Sequence, residues 1–458
     1  MNNTTKRAYV LYIFILAFIV GLGFMVFSFY ANGDEWAAKT VNRHVYSSGQ
    51  IANAGSIYDR NGTPLAYSED GKRKYNESKS IRKSTLHAVG DTASFIATGV
   101  QSIYSSELSG YDFVNGVYNL KKFGKGNDIA LTLDANVCKV AYEALGSRKG
   151  TVGVYNYRTG EIICMVSTPT YDPNNKPTDM ADNPEYEGVY LNRFISGVYT
   201  PGSTFKAVTA ICALQNIPDL SSRTFKCTGK YHTTSGDVIC NDVHGTVTFE
   251  QAFNRSCNSA FAELAIELGK NKLTQTAEQL GFNVKESLGQ TPVAKSTFDV
   301  SKTSAVDLGW AGIGQYTTLA NPCHMMTIMG AIANGGTAIK PYYVASITSP
   351  SGRVTQLGQT VQSEAITLDS SVANRMREYM RSNVVNYYGD STFPGLKMCG
   401  KTGTAQIDNG ESHSWFVGFS ANLETPYAVV CVAENSGYGL ATAGKISNKV
   451  MQAVCNKK

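Results

Sequence analysis

The sequence predicts a protein of the α/β (α+β) class, in which helices flank an antiparallel sheet, preceded by a smaller β-rich domain and one transmembrane helix. Three observations lead to this prediction. A long uncharged run lies near the N-terminus, strand-like runs follow residue 150 and residue 413, and the region between them has mainly helical periodicity. Strands at both ends of such a region bury their apolar faces best in one shared sheet covered by the helices.

The composition is that of a folded protein without a nucleic-acid partner. Of 458 residues, 43% are apolar and 17% are charged, which allows a full core and excludes wholesale disorder. The 41 basic and 36 acidic residues give a formal net charge of +5. That excess is too mild to indicate nucleic-acid binding.

Residues 8–30 form an uncharged run that predicts a transmembrane anchor. As a helix the run reaches about 34 Å, enough to cross a hydrocarbon core of roughly 30 Å. The alternative is a cleavable signal peptide, but its apolar stretch is shorter and ends in a small-x-small site, which residues 27–31 do not offer. Lys6 and Arg7 precede the run, so residues 1–7 are expected in the cytoplasm and the remainder outside the membrane.

The elements of the exported part follow from periodicity and turn residues. Residues 54–66 predict two strands joined by a tight Asn61-Gly62 turn, and residues 129–134 predict a strand. From residue 150 onward the pattern predicts an α/β unit. Its expected strands are residues 151–155, 161–167, 414–420 and 427–434. The expected helices are residues 135–145, 204–214, 248–268, 272–280, 321–334 and 445–456.

The ten cysteines are scattered along the chain, and most lie in apolar surroundings that favour buried free thiols. Cys227 and Cys240 differ, because they flank a polar stretch that predicts a hairpin, and a disulfide between them is one interpretation. With His244 and Cys257 close in sequence, the four residues are also candidates for a structural zinc site. Spacing alone does not decide between the two.

The segment Pro201-Gly202-Ser203-Thr204-Phe205-Lys206 is the first of three strings that indicate chemistry. A Pro-Gly turn leads into a helical run, so Ser203 is expected in the first turn with Lys206 on the same face. A serine needs a base beside it to become a nucleophile, and a lysine serves as that base if its pKa is lowered. Ser80 and Lys83 have the same spacing, in a basic polar stretch that does not favour such a site.

The second and third strings supply the remaining groups of a candidate site. Ser256-Cys257-Asn258 opens a helical segment, where the hydroxyl can relay a proton and the amide can hold a substrate amide, although Ser420-Ala421-Asn422 fits the same pattern. The run from Lys401 through Thr402 and Gly403 to Thr404 predicts a strand with one cation and two hydroxyls that binds a peptide carboxylate. Gly403 is expected to let a substrate backbone approach closely. All three strings in this order match penicillin-binding proteins and class A β-lactamases.

The chain as a whole resembles the class B penicillin-binding proteins, which are peptidoglycan D,D-transpeptidases. The resemblance covers nearly everything after the anchor and rests on segments besides the three strings: residues 55–62 (GSIYDRNG), 131–134 (LTLD), 159–162 (TGEI), Pro169, Asn192-Arg193, His244-Gly245, Gly314-Gln315, 333–335 (ANG) and 415–418 (WFVG). It implies a serine transpeptidase, β-lactamase-like fold. The implied domains are a cytoplasmic tail (1–7), an anchor (8–30), a dimerisation-type pedestal (31–147) and a penicillin-binding transpeptidase domain (148–458).

The resemblance also implies a role for each candidate residue. Ser203 attacks the penultimate D-Ala carbonyl of a stem peptide and releases D-Ala, while Lys206 takes its proton. Ser256 relays a proton to the leaving amine, Asn258 holds the substrate amide, and Lys401 supports the relay. Thr402 and Thr404 bind the carboxylate. Backbone N–H groups of Ser203 and Thr404 form the oxyanion hole, a device worth roughly 3–4 kcal/mol per donor in other acyl-transfer enzymes.

The implied partners are peptidoglycan stem peptides ending in D-Ala-D-Ala, β-lactams and the cell membrane. A pedestal this short resembles those of members that work with a polytopic glycosyltransferase of the shape, elongation, division and sporulation (SEDS) group. No cofactor is required. A minority of the family carries zinc, so the cluster that includes Cys257, beside Ser256, stays a candidate metal site.

Other functions are weighed against this one. A β-lactamase needs a deacylating water, and no Glu-x-x-Leu-Asn-like string lies between Ser256 and Lys401. A β-lactam sensor needs more inside the cell than seven residues, and a bifunctional class A synthase needs more than about 117 residues before its catalytic domain. A non-catalytic scaffold does not need the intact motifs. A D,D-carboxypeptidase, with water as acceptor, is the closest alternative.

Overall fold

The computed structural model describes residues 3–37, 46–47, 50–51, 54–109, 111–112, 116–117, 126–406 and 410–456. Its strands are β1 (Tyr46–Ser47), β2 (Gln50–Ile51), β3 (Ile57–Tyr58), β4 (Pro64–Glu69), β5 (Lys72–Tyr75), β6 (Tyr111–Asp112), β7 (Gly116–Val117), β8 (Asp128–Leu131), β9 (Gly150–Asn156), β10 (Ile162–Thr168), β11 (Thr224–Cys227), β12 (Lys230–Thr233), β13 (Gly236–Ile239), β14 (Gly245–Thr248), β15 (Glu286–Leu288), β16 (Thr291–Val293), β17 (Val344–Thr348), β18 (Val354–Gln356), β19 (Met398–Ala405), β20 (His413–Ser420) and β21 (Tyr427–Ala433). Its α-helices are α1 (Asn3–Ala37), α2 (Lys79–Val89), α3 (Val100–Ile103), α4 (Ser105–Ser109), α5 (Ala135–Leu145), α6 (Arg193–Ser196), α7 (Lys206–Asn216), α8 (Phe249–Asn254), α9 (Asn258–Gln279), α10 (Ala305–Gly312), α11 (Pro322–Ala333), α12 (Ser370–Asn383) and α13 (Lys445–Cys455).

The N-terminal helix α1 contains the predicted anchor. Arg7–Gly33 is long and apolar enough to cross a membrane, and its most apolar stretch is not buried within the described chain. Such a helix has all its backbone hydrogen bonds within the segment, which a lipid environment requires. The first two residues of the predicted tail lie outside the described residues.

A five-stranded antiparallel sheet in the order β10-β9-β21-β20-β19 forms the framework of the C-terminal two thirds. This confirms the predicted antiparallel sheet made from strands at both ends of the region. Helices cover both faces. Cys164 on β10 meets Cys138 of α5 on one face, whereas Tyr155 of β9 lies on the other and donates to the Thr327 carbonyl of α11 at 3.4 Å. β19 is an edge strand, so one side of its backbone stays available for other partners.

The second large sheet is mixed and has six strands in the order β18-β17-β8-β3-β4-β5. Four of these strands precede the five-stranded sheet in the chain. The β3–β4 hairpin is the predicted strand pair, and Gly62 in the turn has a φ of 77°, the left-handed conformation that glycine adopts without strain. β17 and β18 come from residues beyond 340, so this sheet combines strands from both sides of residue 147. One continuous apolar core includes residues from Ala54 to Val454.

The predicted helix over residues 248–268 is wrong in one respect that matters for the site. The segment is two helices: α8 ends at Asn254, and α9 begins at Asn258. Ser256 lies in the break with a φ of 55°, which no helix accommodates. The helix predicted over residues 272–280 is the second half of α9, which is kinked at Gly269, where φ is 75°.

Candidate active site

Ser203 lies at the start of a helix whose first turn is packed against the edge strand β19. A 3-10 turn, Gly202–Phe205, runs directly into α7, so Lys206 is the first α-helical residue. Gly202 has a φ of 52°, and a Cβ there would stand 3.1 Å from the Thr404 carbonyl oxygen. Glycine therefore permits the close approach of the serine turn to β19. Ser203 itself is half-buried.

Gly403 serves the same contact from the other side. A Cβ at Gly403 would stand 2.7 Å from the Pro201 carbonyl oxygen and 3.0 Å from Thr204 Cγ2. The space beside Gly403 is thus filled by the serine turn, and not left for a substrate backbone as the sequence suggested. The glycine is needed because two backbones of the same chain meet there.

Gly314 completes this packing and was noted in the sequence only as part of a resemblance. Its carbonyl accepts from the Gly202 N–H at 2.8 Å. A Cβ at Gly314, where φ is 80°, would stand 2.1 Å from the Gly202 carbonyl oxygen. Three glycines from three distant segments therefore hold the serine turn in place.

Lys206 is fully buried, and its hydrogen bonds go to the second motif. Its Nζ donates to Ser256 Oγ at 3.1 Å, to Asn258 Oδ1 at 2.7 Å and to the Ser256 carbonyl oxygen. Among the described residues no hydrogen bond joins Lys206 Nζ to Ser203 Oγ. Burial lowers the pKa of Lys206 to about 8. A lysine with such a pKa is neutral in a useful fraction of molecules near neutral pH.

Lys401 projects from β19 to the same serine. Its Nζ donates to Ser256 Oγ at 3.0 Å, and the side chain is fully buried. Burial, reinforced by the positive charge of Lys206, lowers its pKa well below the usual value. The ring centre of Phe261 lies 5.6 Å from Lys206 Nζ, and that of Phe253 lies 5.8 Å from Lys401 Nζ. Both ammonium groups therefore face an aromatic ring.

Asn258 is held by both atoms of its amide. Its Oδ1 accepts from Lys206, and its Nδ2 donates to the Ile239 carbonyl oxygen at 3.0 Å. The amide therefore fixes the β13 hairpin to the start of α9. Each of the two amide atoms can form a second hydrogen bond, so a substrate amide can bond to Asn258 while both partners stay in place.

Thr402 and Thr404 are half-exposed on β19, and each hydroxyl has a partner. Thr404 Oγ1 accepts from the Gly439 N–H at 3.3 Å, and Thr402 Oγ1 lies 2.8 Å from the hydroxyl of Tyr388. Sequence reasoning missed Tyr388, which stands 14 residues before Thr402 in a stretch without a recognisable motif.

The four predicted metal-ligand candidates meet directly behind the second motif. Cys227 Sγ and Cys240 Sγ each lie 3.5 Å from His244 Nδ1, and Cys240 Sγ lies 3.9 Å from Cys257 Sγ. All four donor atoms are within 4.8 Å of one another. Cys227 and Cys240 are free thiols that flank the predicted hairpin, β12–β13, so the disulfide interpretation does not describe this structure. The Asn258 N–H points at Cys240 Sγ at 3.2 Å.

Comparison with known protein families identifies the family to which the chain belongs. A sequence model described as the Penicillin binding protein transpeptidase domain matches residues 150–452, about two thirds of the chain. The chain belongs to the penicillin-binding protein transpeptidase family. The resemblance found from the motifs is thereby confirmed, together with the fold that it implied.

Similar proteins of known name extend this result over almost the whole chain. The peptidoglycan D,D-transpeptidase PbpA of Mycolicibacterium smegmatis is 28% identical over 487 residues, covering 97% of this chain and 96% of that protein. PbpA of Mycobacterium tuberculosis is 29% identical over 359 residues, 72% of each chain.

Solved structures give the same answer for the fold. Penicillin-binding protein A from M. tuberculosis, solved as a ceftriaxone acyl-enzyme complex, superimposes with a TM-score of 0.77 at 25% identity, covering 88% of this chain and 98% of that one. The D,D-transpeptidase domain from Eggerthella lenta gives a TM-score of 0.74 at 28% identity, covering 88% and 99%.

Two further segments of this penicillin-binding protein match the first and second motifs in sequence, but they lie outside the active site. Ser80 and Lys83 belong to α2, where Lys83 lies over the ring of Tyr142. Ser420 ends β20, and its hydroxyl donates to the Leu396 carbonyl oxygen at 3.0 Å. Neither pair is joined to Lys206 or Lys401 by a hydrogen bond within the described residues.

Proposed function

We propose that this chain is a membrane-anchored peptidoglycan D,D-transpeptidase that acts through an acyl-enzyme on Ser203. The observation that carries the proposal is the position of Ser256 Oγ between two buried lysines, 3.1 Å from Lys206 Nζ and 3.0 Å from Lys401 Nζ. A hydroxyl in that position can pass a proton between groups whose pKa values are lowered by burial. Membership of the transpeptidase family and similarity to two proteins named PbpA support the same chemistry.

The first half of the proposed reaction forms the acyl-enzyme. Ser203 Oγ attacks the carbonyl of the penultimate D-Ala, and its proton goes to neutral Lys206. The tetrahedral oxyanion is stabilised by backbone N–H groups of Ser203 and Thr404. Collapse breaks the peptide bond, and the leaving D-Ala nitrogen takes a proton by way of Ser256.

The second half transfers the acyl group to an amine of a neighbouring stem peptide. The amine attacks the ester carbonyl, loses its proton to the lysine–serine relay and displaces Ser203 Oγ, which is reprotonated. In the D,D-carboxypeptidase alternative, water replaces that amine. A β-lactam follows the first half only and leaves a slowly hydrolysed acyl-enzyme on Ser203.

The remaining roles belong to the same proposal. Thr402 and Thr404 bind the terminal carboxylate, Asn258 holds the substrate amide, and the close packing at Gly403 fixes the strand. The division at residues 147/148 between a pedestal and a transpeptidase domain is supported by the start of the family match at residue 150. Arg7–Gly33 anchors the chain with its N-terminus in the cytoplasm and its catalytic domain outside, as Lys6 and Arg7 favour. A SEDS-type glycosyltransferase is the proposed membrane partner.

A structural zinc ion is proposed for the Cys227, Cys240, His244 and Cys257 cluster. Tetrahedral zinc with bonds of about 2.3 Å to sulfur and 2.0 Å to nitrogen places its ligands roughly 3.5–3.8 Å apart. The distances in the cluster, 3.5, 3.5 and 3.9 Å, fit that arrangement. The ion would tie the β12–β13 hairpin to the start of α9 and so fix Ser256 and Asn258. It is not required for the acyl-transfer chemistry itself.

Labelling with a fluorescent penicillin tests the function. The full-length protein is expected to form a covalent adduct that Ser203→Ala abolishes, while Ser80→Ala keeps it. Incubation with a stem pentapeptide and an amine acceptor is expected to release D-Ala and yield the crosslinked product. Absence of any adduct with the wild-type protein would overturn the proposal. Release of D-Ala without crosslinking would favour the carboxypeptidase.

A further inference from the structure

The open edge of β19 is not free along its whole length. Side chains from α12 and the turns that follow it bond to alternate residues of the strand. Arg381 Nη1 donates to the Met398 carbonyl oxygen at 2.9 Å, and Asn383 Nδ2 donates to the Gly400 carbonyl oxygen at 2.8 Å. These bonds satisfy backbone groups that would otherwise attract another strand.

Tyr388 continues this series at the next alternate residue. The Thr402 N–H donates to the Tyr388 hydroxyl oxygen at 2.9 Å, and the same oxygen lies 2.8 Å from Thr402 Oγ1. One tyrosine hydroxyl therefore contacts both the backbone and the side chain of Thr402. The next residue of the series is Thr404, whose N–H is the proposed oxyanion donor.

The local backbone explains why Tyr388 reaches this position. α12 passes at Asn383 into a π-helical segment, Val384–Gly389, in which the wider turn alters the direction of the side chains. Tyr387 is 53% exposed, whereas Tyr388 is buried. Such π-helical segments are frequent at functional sites.

The hydroxyls of Tyr388 and Thr402 share one hydrogen bond, which either oxygen can donate. The Tyr388 oxygen already accepts from the Thr402 N–H, and its own proton is available for Thr402 Oγ1. With that proton donated, Thr402 Oγ1 is an acceptor toward Tyr388, and its own hydrogen is left to point into the cleft. Burial also raises the pKa of Tyr388, so the hydroxyl keeps its proton throughout the neutral range.

We propose that Tyr388 is a positioning residue for carboxylate recognition, because its hydroxyl orients Thr402 so that the threonine hydroxyl donates to the substrate carboxylate. The inference rests on the proposed function. It concerns the terminal carboxylate of a D-Ala-D-Ala peptide and the equivalent carboxylate of a penicillin. The proposed role of Tyr388 is exerted through Thr402 and not by direct contact with the substrate.

The test measures the second-order rate constant for acylation of the full-length protein by penicillin G. Tyr388→Phe is expected to lower it about tenfold in the wild-type background and in Thr402→Ser, which keeps the hydroxyl. In Thr402→Val, which has no hydroxyl to orient, the same change is expected to have less than a twofold effect. A merely structural role through the Thr402 N–H would give the same reduction in all three backgrounds, and that result would overturn the inference.

Tyr387→Phe is the matched control, since it removes the hydroxyl of the exposed neighbour and is expected to leave the rate unchanged. All rates are measured well below the thermal midpoint of the least stable variant, and Tyr388→Met replaces the Phe variant if that variant does not fold. An unchanged rate in Tyr388→Phe would also overturn the inference while leaving the proposed function intact. Failure of the wild-type protein to acylate would instead contradict the proposed function.

Discussion

Lys206 and Lys401 both donate to one atom, Ser256 Oγ, at 3.1 and 3.0 Å. Two ammonium groups this close in a buried site repel each other, so the neutral form of at least one is favoured. The lowered pKa values of both lysines agree with that arrangement. The serine between them is the natural route for a proton.

The pH dependence of acylation is expected to follow Lys206. Because burial lowers its pKa to about 8, the fraction of the neutral base grows as the pH rises and levels off above that value. The acylation rate should therefore increase about tenfold per pH unit between pH 6 and 7.5. Stopped-flow measurements with a β-lactam that does not titrate in this range check it. Lys206→Arg, which stays charged, should lose at least 99% of the rate. A flat profile would contradict the assignment of Lys206 as the base.

Gly403→Ala is expected to impair both stability and acylation. The new Cβ would stand 2.7 Å from the Pro201 carbonyl oxygen, a backbone atom that cannot rotate away. Displacing the serine turn should cost about 1–3 kcal/mol of unfolding free energy and at least tenfold in acylation rate. Denaturant unfolding and penicillin kinetics on the same preparation measure the two effects. Normal kinetics in a stable variant would show that the turn does not need this packing.

Metal analysis of the purified protein is expected to find about one zinc per chain. Cys227→Ser removes one ligand and should lower both the zinc content and the thermal midpoint, because the hairpin is no longer tied to α9. Cys455→Ser, a partly exposed cysteine outside the cluster, is the matched control and should change neither. If the purified protein contains no zinc and added zinc does not raise its thermal midpoint, the zinc site is ruled out.

Acidification is expected to destabilise the protein through buried histidines. His324 Nε2 donates to the Leu280 carbonyl oxygen and Nδ1 accepts from Ser296, both at 2.7 Å, so the neutral ring is fully satisfied. Burial lowers its pKa to about 4 from the ordinary 6.5, so the unfolded chain binds the additional proton as the pH falls below 6.5. The unfolding free energy should drop by about 2 kcal/mol from pH 7 to 5 on account of His324 alone.

His324→Gln checks this origin. The variant is less stable at pH 7, but its stability should fall less steeply on acidification. Part of the slope should remain, since burial also lowers the pKa of His87 to about 4. Denaturant titrations at several pH values measure the slopes. Equal slopes in the wild type and the variant would mean that His324 does not titrate on unfolding.

Local patterns in the sequence determined the elements and the chemical groups of this penicillin-binding protein. An uncharged run, alternating apolar residues and turn glycines depend on neighbours a few residues apart, so the anchor, the strands of the antiparallel sheet and α5 were predicted almost to their ends. The Ser-x-x-Lys and Lys-Thr-Gly motifs could also be recognised from the sequence, because each is a short segment whose residues have a characteristic chemistry.

Only the tertiary structure decided how those groups meet. The contacts of Lys206 and Lys401 with Ser256 span 50 and 145 residues, and no periodicity records such pairs. The break at Ser256 falls among residues of modest helix propensity (residues 254–259), but propensity differences below about 1 kcal/mol per residue do not fix where one helix ends and the next begins. The filled space beside Gly403 and the two-fold contact of Tyr388 with Thr402 likewise depend on distant segments packed at van der Waals distance, and that information resides in the fold.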